Sequence, residues 1–354
     1  MNQDSQVLIS VRDGIGQIVL NRPRALNALS LEMIRQISMT LRQWENDDTV
    51  EYIVFRGAGD RAFCAGGDIK SFYRSGMEYR RGQSDIVVPT LFFAEEYSLN
   101  KQIFEYSKPT IALIDGIVMG GGAGIASHCK HRLVSENVTF AMPEVGIGFF
   151  PDIGSAYYLS SESDFRHYIT RYIALTGAHV GAGDMIAAGM ADACLHTQSY
   201  ERFLSLVSSE GLDAALQACL EEVPPMEFVQ KHGNDMQEAF QSLDVMEICL
   251  RLRALDSDWG RETLELLLSR SPISVMVTAR HLENMAGKTF DAVIAADFRL
   301  AQRFVEYSDM YEGIRALLID KDNEPNWQPA RFEDVREEDI ARYFEPTGRE
   351  LSDV

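Results

Sequence analysis

Two glycine-rich turns, each directly behind a short apolar run, constrain this chain more than any other feature. They are Cys64-Ala65-Gly66-Gly67-Asp68-Ile69-Lys70 and Met119-Gly120-Gly121-Gly122-Ala123-Gly124. Glycine lets a backbone turn sharply and approach another backbone or a ligand, because no Cβ stands in the way. Where such a turn opens a helix, the free N–H groups of the first helical turn suit a developing negative charge. Two such turns facing each other would form an oxyanion hole, often the largest single term in acyl chemistry. Taken singly, each is better explained as tight strand-to-helix geometry. A dinucleotide-binding reading fails on spacing: G-x-G-x-x-G/A from Gly122 meets Ser127, and from Gly120 it meets Ile125. No G-x-x-x-x-G-K-S/T phosphate loop is present either.

Around these turns strand and helix signals alternate. Residues 7–11 and 17–20 read as strands joined by Asp13-Gly14, a hairpin signal. Ser30 is placed to cap a helix carrying Leu31, Ile34, Ile37, Leu41 and Trp44 at helical spacing. Residues 52–56 and 110–114 read as strands, 60–70 as a turn, and 92–104 as a helix stopped before Lys108-Pro109. The segment opening at Gly120 reads as helix to Lys130, with strands near 132–135 and 138–140 after it. The alternation predicts an α/β layered fold. From Ala156 onward helical patterns dominate, including 264–269 and 290–305. The polar tail from Ile319 carries Trp327, Phe332 and Tyr343, which predicts that it packs back on the body. The boundary so drawn separates residues 1–200, with the glycine turns and catalytic loops, from a helical region at 201–354.

At 354 residues the chain has room for one large domain or two ordinary ones. Its formal charge of −20 argues against nucleic acid, whose binders show a basic stripe. The charge is uneven: residues 1–81 hold 11 Lys/Arg against 10 Asp/Glu, residues 82–354 hold 22 against 43. A polyanionic ligand is therefore tolerated at the N-terminal end and repelled elsewhere, although solubility alone explains the same imbalance. Five scattered cysteines without a C-x-x-C pair fit reduced thiols in a cytosol-like compartment. The N-terminal residues show neither a basic n-region nor an apolar h-region, and no apolar run approaches the roughly 18–20 residues of a membrane span. The expectation is a cytoplasmic protein with no membrane partner. No spaced ligand cluster suggests a metal, and His128 and His131 read as packed or surface histidines.

Two further segments carry carboxylates in apolar settings, where a raised pKa suits acid–base work. The loop at 141–154, AMPEVGIGFFPDIG, holds Glu144 and Asp152. As a second role Asp152 is placed to cap a helix at 154–159. Phe92-Phe93-Ala94-Glu95-Glu96-Tyr97-Ser98-Leu99-Asn100 turns some of its residues inward at helical spacing, and one glutamate can follow them.

In this order these segments, with Asn21-Arg22-Pro23-Arg24-Ala25-Leu26-Asn27-Ala28-Leu29 ahead of them, resemble the crotonase (enoyl-CoA hydratase/isomerase) superfamily. Residues 92–100, 140–154 and Glu312-Gly313-Ile314-Arg315-Ala316-Leu317-Leu318-Ile319-Asp320-Lys321-Asp322 are most similar to its 3-hydroxyisobutyryl-CoA hydrolase subgroup. The resemblance covers nearly the whole chain. It implies an α/β fold with a crotonase-like ββα spiral core and a helical C-terminal region. It implies an oxyanion hole from the N–H groups of Gly67 and Gly121, and coenzyme A along Arg22, Ala25, Ala65, Gly67, Asp68 and Ile69. Substrate-lining positions are Glu96, Gly121, Glu144 and Asp152. Coenzyme A is part of the substrate, so no separate cofactor is expected. Superfamily members are often trimers or hexamers, so a homo-oligomer is compatible with the resemblance.

One departure bears on the reaction. Hydratases of the superfamily use two glutamates, one matching Glu144 and one at the position of Gly124. With Gly124 there, concerted hydration loses half of its acid–base pair, and Asp152 stands where typical hydratases carry a small residue. The implied reaction is hydrolysis of a short 3-hydroxyacyl-CoA thioester, most simply 3-hydroxyisobutyryl-CoA in valine breakdown. Hydration or isomerisation of an enoyl-CoA is the alternative, and a coenzyme-binding protein without catalysis is a third.

Overall fold

The computed structural model of the chain describes residues 5–83, 88–160, 166–307 and 309–353. Strand β1 (Val7–Arg12) pairs antiparallel with β2 (Ile15–Leu20). Asp13 and Gly14 both have positive φ, 50° and 81°, the conformation a two-residue hairpin requires. Strands β3 (Tyr52–Gly57), β5 (Thr110–Ile114), β7 (His131–Val134) and β9 (Ala193–Cys194) add in parallel, giving the order β1-β2-β3-β5-β7-β9. Strands β4 (Ala62–Cys64), β6 (Ile117–Met119) and β8 (Thr139–Ala141) form a second sheet in the order β4-β6-β8. The chain thus leaves the large sheet for the small one after β3, after β5 and after β7. Helices follow β4 (Ile69–Arg80) and β6 (Gly121–Ala126), which completes the repeated ββα turns of a spiral core.

Glycines make the corners of that spiral. A Cβ on Gly57 would lie 2.4 Å from the Ala62 carbonyl oxygen, and one on Gly116 2.5 Å from that of Arg61. Ser30 caps the Leu31–Glu45 helix as expected, its side chain accepting from Met33 N–H.

The described residues divide into two compact units that interleave along the sequence. The first takes Met1–Gly67, Ser98–Phe140 and Val180–Phe228; the second takes Asp68–Tyr97, Ala141–His179 and Val229–Val354. A boundary at residue 200 does not follow this division. The helices Tyr200–Glu210 and Leu212–Cys219 belong with the strands because Tyr200, Phe203, Leu204, Val207 and Leu212 pack on Ile15, Val54, Ile111, Leu113 and Leu133. Residues 68–97 and 141–179 instead share a core with the C-terminal helices. Within the second unit the tail packs back as expected: Trp327, Phe332 and Tyr343 are buried, and Trp327 Nε1 donates to the Ser269 carbonyl.

Three local expectations change. The turn at 60–70 contains β4 and ends in a helix that starts at Ile69, with Asp68 as its cap. The helix of the second glycine run stops at Ala126 rather than Lys130. Asp152 caps no helix: the following one, Ala156–Leu159, has Ser155 at its cap, and the Asp152 carboxyl is engaged elsewhere. Among the described residues no helix is long and apolar enough to cross a membrane, and no group of His, Cys, Asp and Glu is arranged to hold a metal.

Candidate active site

The two glycine turns lie against each other in the first unit. A Cβ on Gly122 would lie 2.2 Å from the Cys64 carbonyl oxygen, and one on Gly66 3.8 Å from the Gly121 nitrogen. Only glycine at 122 permits this approach, and Gly66 has a φ of 106° that other residues rarely adopt. Gly121 is the first residue of its helix, so its N–H has no intrahelical acceptor. Gly67 forms a parallel bridge with Leu29, whose N–H donates to the Gly66 carbonyl at 2.8 Å. In that pattern the ladder bonds run through the neighbours of Gly67, leaving its own N–H outside the ladder. Two backbone donors on adjoining turns are thus left for another acceptor.

The loop beside them is held by Asn27. This residue is fully buried; its Oδ1 accepts from Arg22 N–H at 2.9 Å, and its Nδ2 donates to the carbonyls of Ala58 (3.0 Å) and Ala62 (2.8 Å). It thereby ties the Arg22–Asn27 loop to the start of β4. The Arg22 guanidinium donates to the Ala28 carbonyl at 2.6 Å. Ala25 is exposed, and Ala65, Gly67, Asp68 and Ile69 are half-buried.

The carboxylates lie in the second unit. Glu96 sits in the Val88–Phe104 helix; Glu144 opens a single 3₁₀ turn, Glu144–Ile147, behind Pro143; Asp152 follows five residues after that turn. All three are buried, at 3%, 6% and 5% exposure, so a solvent-facing role is excluded for each. Tyr97 donates its hydroxyl to Asp152 Oδ2 at 2.6 Å. No group among the described residues hydrogen-bonds Glu96 Oε1 or Glu144 Oε2. Buried acceptors left without a protein partner are costly, so each calls for a proton, a water or a ligand to meet it.

Aromatic residues flank Glu96 and Asp152 along the chain and pack on one another. Phe93 stacks on Phe149 with centroids 5.2 Å apart, Phe149 packs on Phe150 at 4.7 Å, and Phe150 stacks on Phe304 at 5.3 Å. In so apolar a setting the charged form of an acid is disfavoured, and neighbouring carboxylates add repulsion. Burial, and then Asp152, hold Glu144 well above the usual carboxylate range. Burial, then Asp152 and Glu144, do the same to Glu96. Asp152 is pushed up to about 7 by burial, opposed by the Tyr97 hydrogen bond and assisted by Asp297. Asp152, at about 7, can hold or release a proton near neutrality.

Of the residues singled out from the sequence, the structure brings Gly67 and Gly121 together in one unit and Glu96, Glu144 and Asp152 together in the other. Glu95, the other member of the pair, is half-buried. Gly124 is buried in the Gly121–Ala126 helix and offers no carboxylate. His128 is buried, with its ring edge-on to Phe104. Tyr97, His281 and Asp297 escaped sequence reasoning. Tyr97 adjoined a flagged glutamate, but nothing in the local pattern distinguished its hydroxyl from a core tyrosine. Asp297 sits in the middle of an amphipathic helix, where an aspartate reads as solvent-facing.

The enoyl-CoA hydratase/isomerase family model matches residues 15–344. The mitochondrial 3-hydroxyisobutyryl-CoA hydrolase of Rattus norvegicus is 37% identical, over 98% of this chain and 90% of its own length. Among solved structures, a carnitinyl-CoA dehydratase from Mycobacterium thermoresistibile is 36% identical with a TM-score of 0.91, covering 99% of both chains. An enoyl-CoA hydratase from Rhodobacter sphaeroides is 33% identical with a TM-score of 0.88, over 97% of this chain and 98% of that one.

Proposed function

Because this chain belongs to the enoyl-CoA hydratase/isomerase family, the crotonase family, we propose that it hydrolyses a short 3-hydroxyacyl-CoA thioester, 3-hydroxyisobutyryl-CoA foremost. The observation that carries this reading is the placement of carboxylates: Glu144 is buried with Asp152, while position 124 is a buried glycine. Hydration across a double bond loses its second acid–base group, whereas attack on a thioester gains one.

In this reading the thioester oxygen accepts from the N–H groups of Gly67 and Gly121, each worth roughly 3–4 kcal/mol in the transition state by analogy with other acyl-transfer sites. Glu144 either takes a proton from water as the water attacks, or attacks the carbonyl itself to give a mixed anhydride that water then opens. The C–S bond breaks, coenzyme A leaves as thiolate and is protonated, and the 3-hydroxy acid is released. Asp152 and Glu96 hold the 3-hydroxyl and the water. Arg22, Ala25, Ala65, Gly67, Asp68 and Ile69 lie along the coenzyme, and residues 1–81, which contain them, hold 11 Lys/Arg against 10 Asp/Glu. Coenzyme A belongs to the substrate, and no other cofactor enters. Five buried free thiols suit a reducing, cytoplasm-like compartment, although the relatives' names place them in mitochondria.

Following free-thiol release from 3-hydroxyisobutyryl-CoA and 3-hydroxypropionyl-CoA tests the proposal, with Glu144→Gln as control. Release from both, lost by at least about 10²-fold in Glu144→Gln, is expected. Release only from unrelated acyl-CoAs overturns it. Hydration is the second reading, since the two solved relatives are a carnitinyl-CoA dehydratase and an enoyl-CoA hydratase, and loss of crotonyl-CoA absorbance without thiol release would establish it instead. Single turnover in labelled water separates the two roles of Glu144, since only the anhydride route puts label into the protein.

A further inference from the structure

The loop that presents Asp152 is bent into a conformation its sequence resists. Ile153 has a φ of 59° and Gly154 a φ of 74°. For glycine this is ordinary, but for a β-branched residue the left-handed region is a true outlier, costly unless the surroundings hold it. Ile153 is 1% exposed, so its side chain is fixed within the core.

The structure shows what does the holding. Asp297, on the Phe290–Glu306 helix, is fully buried, and its Oδ2 accepts the Gly154 N–H at 2.6 Å. Its other oxygen, Oδ1, lies 2.6 Å from Nε2 of His281, on the Pro272–Met285 helix. The ring nitrogen facing a carboxylate carries the proton, so His281 donates to Asp297. The His281 ring packs at right angles to Phe150, centroids 5.6 Å apart, on the other side of Asp152 in the same loop. One buried pair from two helices therefore grips the loop on both sides of Asp152. Tyr97 fixes the carboxyl itself, and its ring rests on Phe298, the neighbour of Asp297.

We propose that Asp297, oriented by His281, is a positioning residue that keeps the Ile153–Gly154 turn left-handed and so aims the Asp152 carboxyl at the substrate's 3-hydroxyl. This rests on the hydrolase reading given above, in which Asp152 meets that hydroxyl. It touches no substrate itself. When the turn relaxes, Asp152 moves, and displacements of about 1 Å can cost 10²-fold in rate.

The test compares thiol release from 3-hydroxyisobutyryl-CoA with release from isobutyryl-CoA, which lacks the hydroxyl. Asp297→Ala should lower kcat/KM for the hydroxylated substrate by about tenfold or more while changing the other by less than about threefold. Asp297→Asn should retain the preference, because its amide oxygen still accepts from Gly154 and its amide nitrogen can donate to His281 in the other tautomer. Should Asp297→Ala not fold, Asp297→Ser keeps a polar group there but is too short to reach Gly154, and the same split is expected. Equal losses for both substrates in Asp297→Ala or Asp297→Ser overturn the positioning role, as does an Asp297→Asn enzyme that loses the preference. A wild-type enzyme that releases no thiol from the hydroxylated substrate instead defeats the hydrolase reading, and this role with it.

Discussion

Replacing Asp152 by asparagine should change how stability responds to pH, in a direction the burial of its carboxyl fixes. The asparagine side chain keeps an acceptor for the Tyr97 hydroxyl but cannot ionise. In the wild type the fold holds the Asp152 proton more tightly than the unfolded chain does, moving it from the ordinary 3.8 to about 7. An acid raised in this way contributes stability that is fully present below the unfolded value and is lost as pH climbs through the folded one. At about 1.4 kcal/mol per pH unit, ionising Asp152 removes about 4 kcal/mol across the whole window. More than half of that falls between about pH 5 and about pH 8. Urea unfolding of both proteins at several pH values measures it. Asp152→Asn should gain on the wild type steadily as pH rises over this interval, and should gain further because Glu96 and Glu144 lose a repelling neighbour. A difference that stays flat with pH, or shrinks, refutes the account of a carboxyl forced into an apolar, like-charged site.

Tyr97→Phe removes the hydroxyl that lowers the Asp152 value, so the upper end of the same pH window should move to higher pH; an unmoved or lowered end contradicts the assignment. Gly122→Ala places a Cβ 2.2 Å from a backbone oxygen of the neighbouring turn, and thermal unfolding should report a loss of about 1–3 kcal/mol together with reduced thiol release. All five cysteines are free and buried, so a chromogenic thiol reagent should label essentially none in the native protein and all five after denaturation.

Features that depend on local chain chemistry were legible in the sequence. The Asp13-Gly14 hairpin, the Ser30 cap and the strands came from turn residues, capping residues and apolar runs, which act within a few positions. The burial of Glu144 and Asp152 was legible because their loop offers little but apolar neighbours. Features that depend on distant partners were not. Asp152 looked like a helix cap because aspartate before a short helix usually is one, whereas Tyr97, 55 positions away, claims its carboxyl. Residues 68–97 and 141–179 gave no local sign that they share a core with the C-terminal helices, since nothing in periodicity says which apolar face a helix will meet. The family resemblance supplied the pairing of Gly67 with Gly121, and the Gly66 and Gly122 approaches explain why that pairing needs glycine.

The turn that carries Glu144 has a consequence in the order of synthesis. Its end is seated on backbone from much later in the chain: a Cβ on Gly148 would lie 2.3 Å from the Asp309 carbonyl oxygen, and one on Gly313 2.4 Å from the carbonyl carbon of Ile147. Asp309 is in turn held by Ser271, which donates its hydroxyl at 2.7 Å, and by the backbone N–H of Gln328 at 3.1 Å. A chain leaves the ribosome N-terminal end first, so the first unit's two glycine turns are complete long before the seat of the glutamate exists. A nascent chain halted before residue 309 lacks the backbone on which the end of that turn is seated. Such a chain can assemble the glycine turns, but the loop that delivers its acid is fully seated only when the last part of the polypeptide arrives.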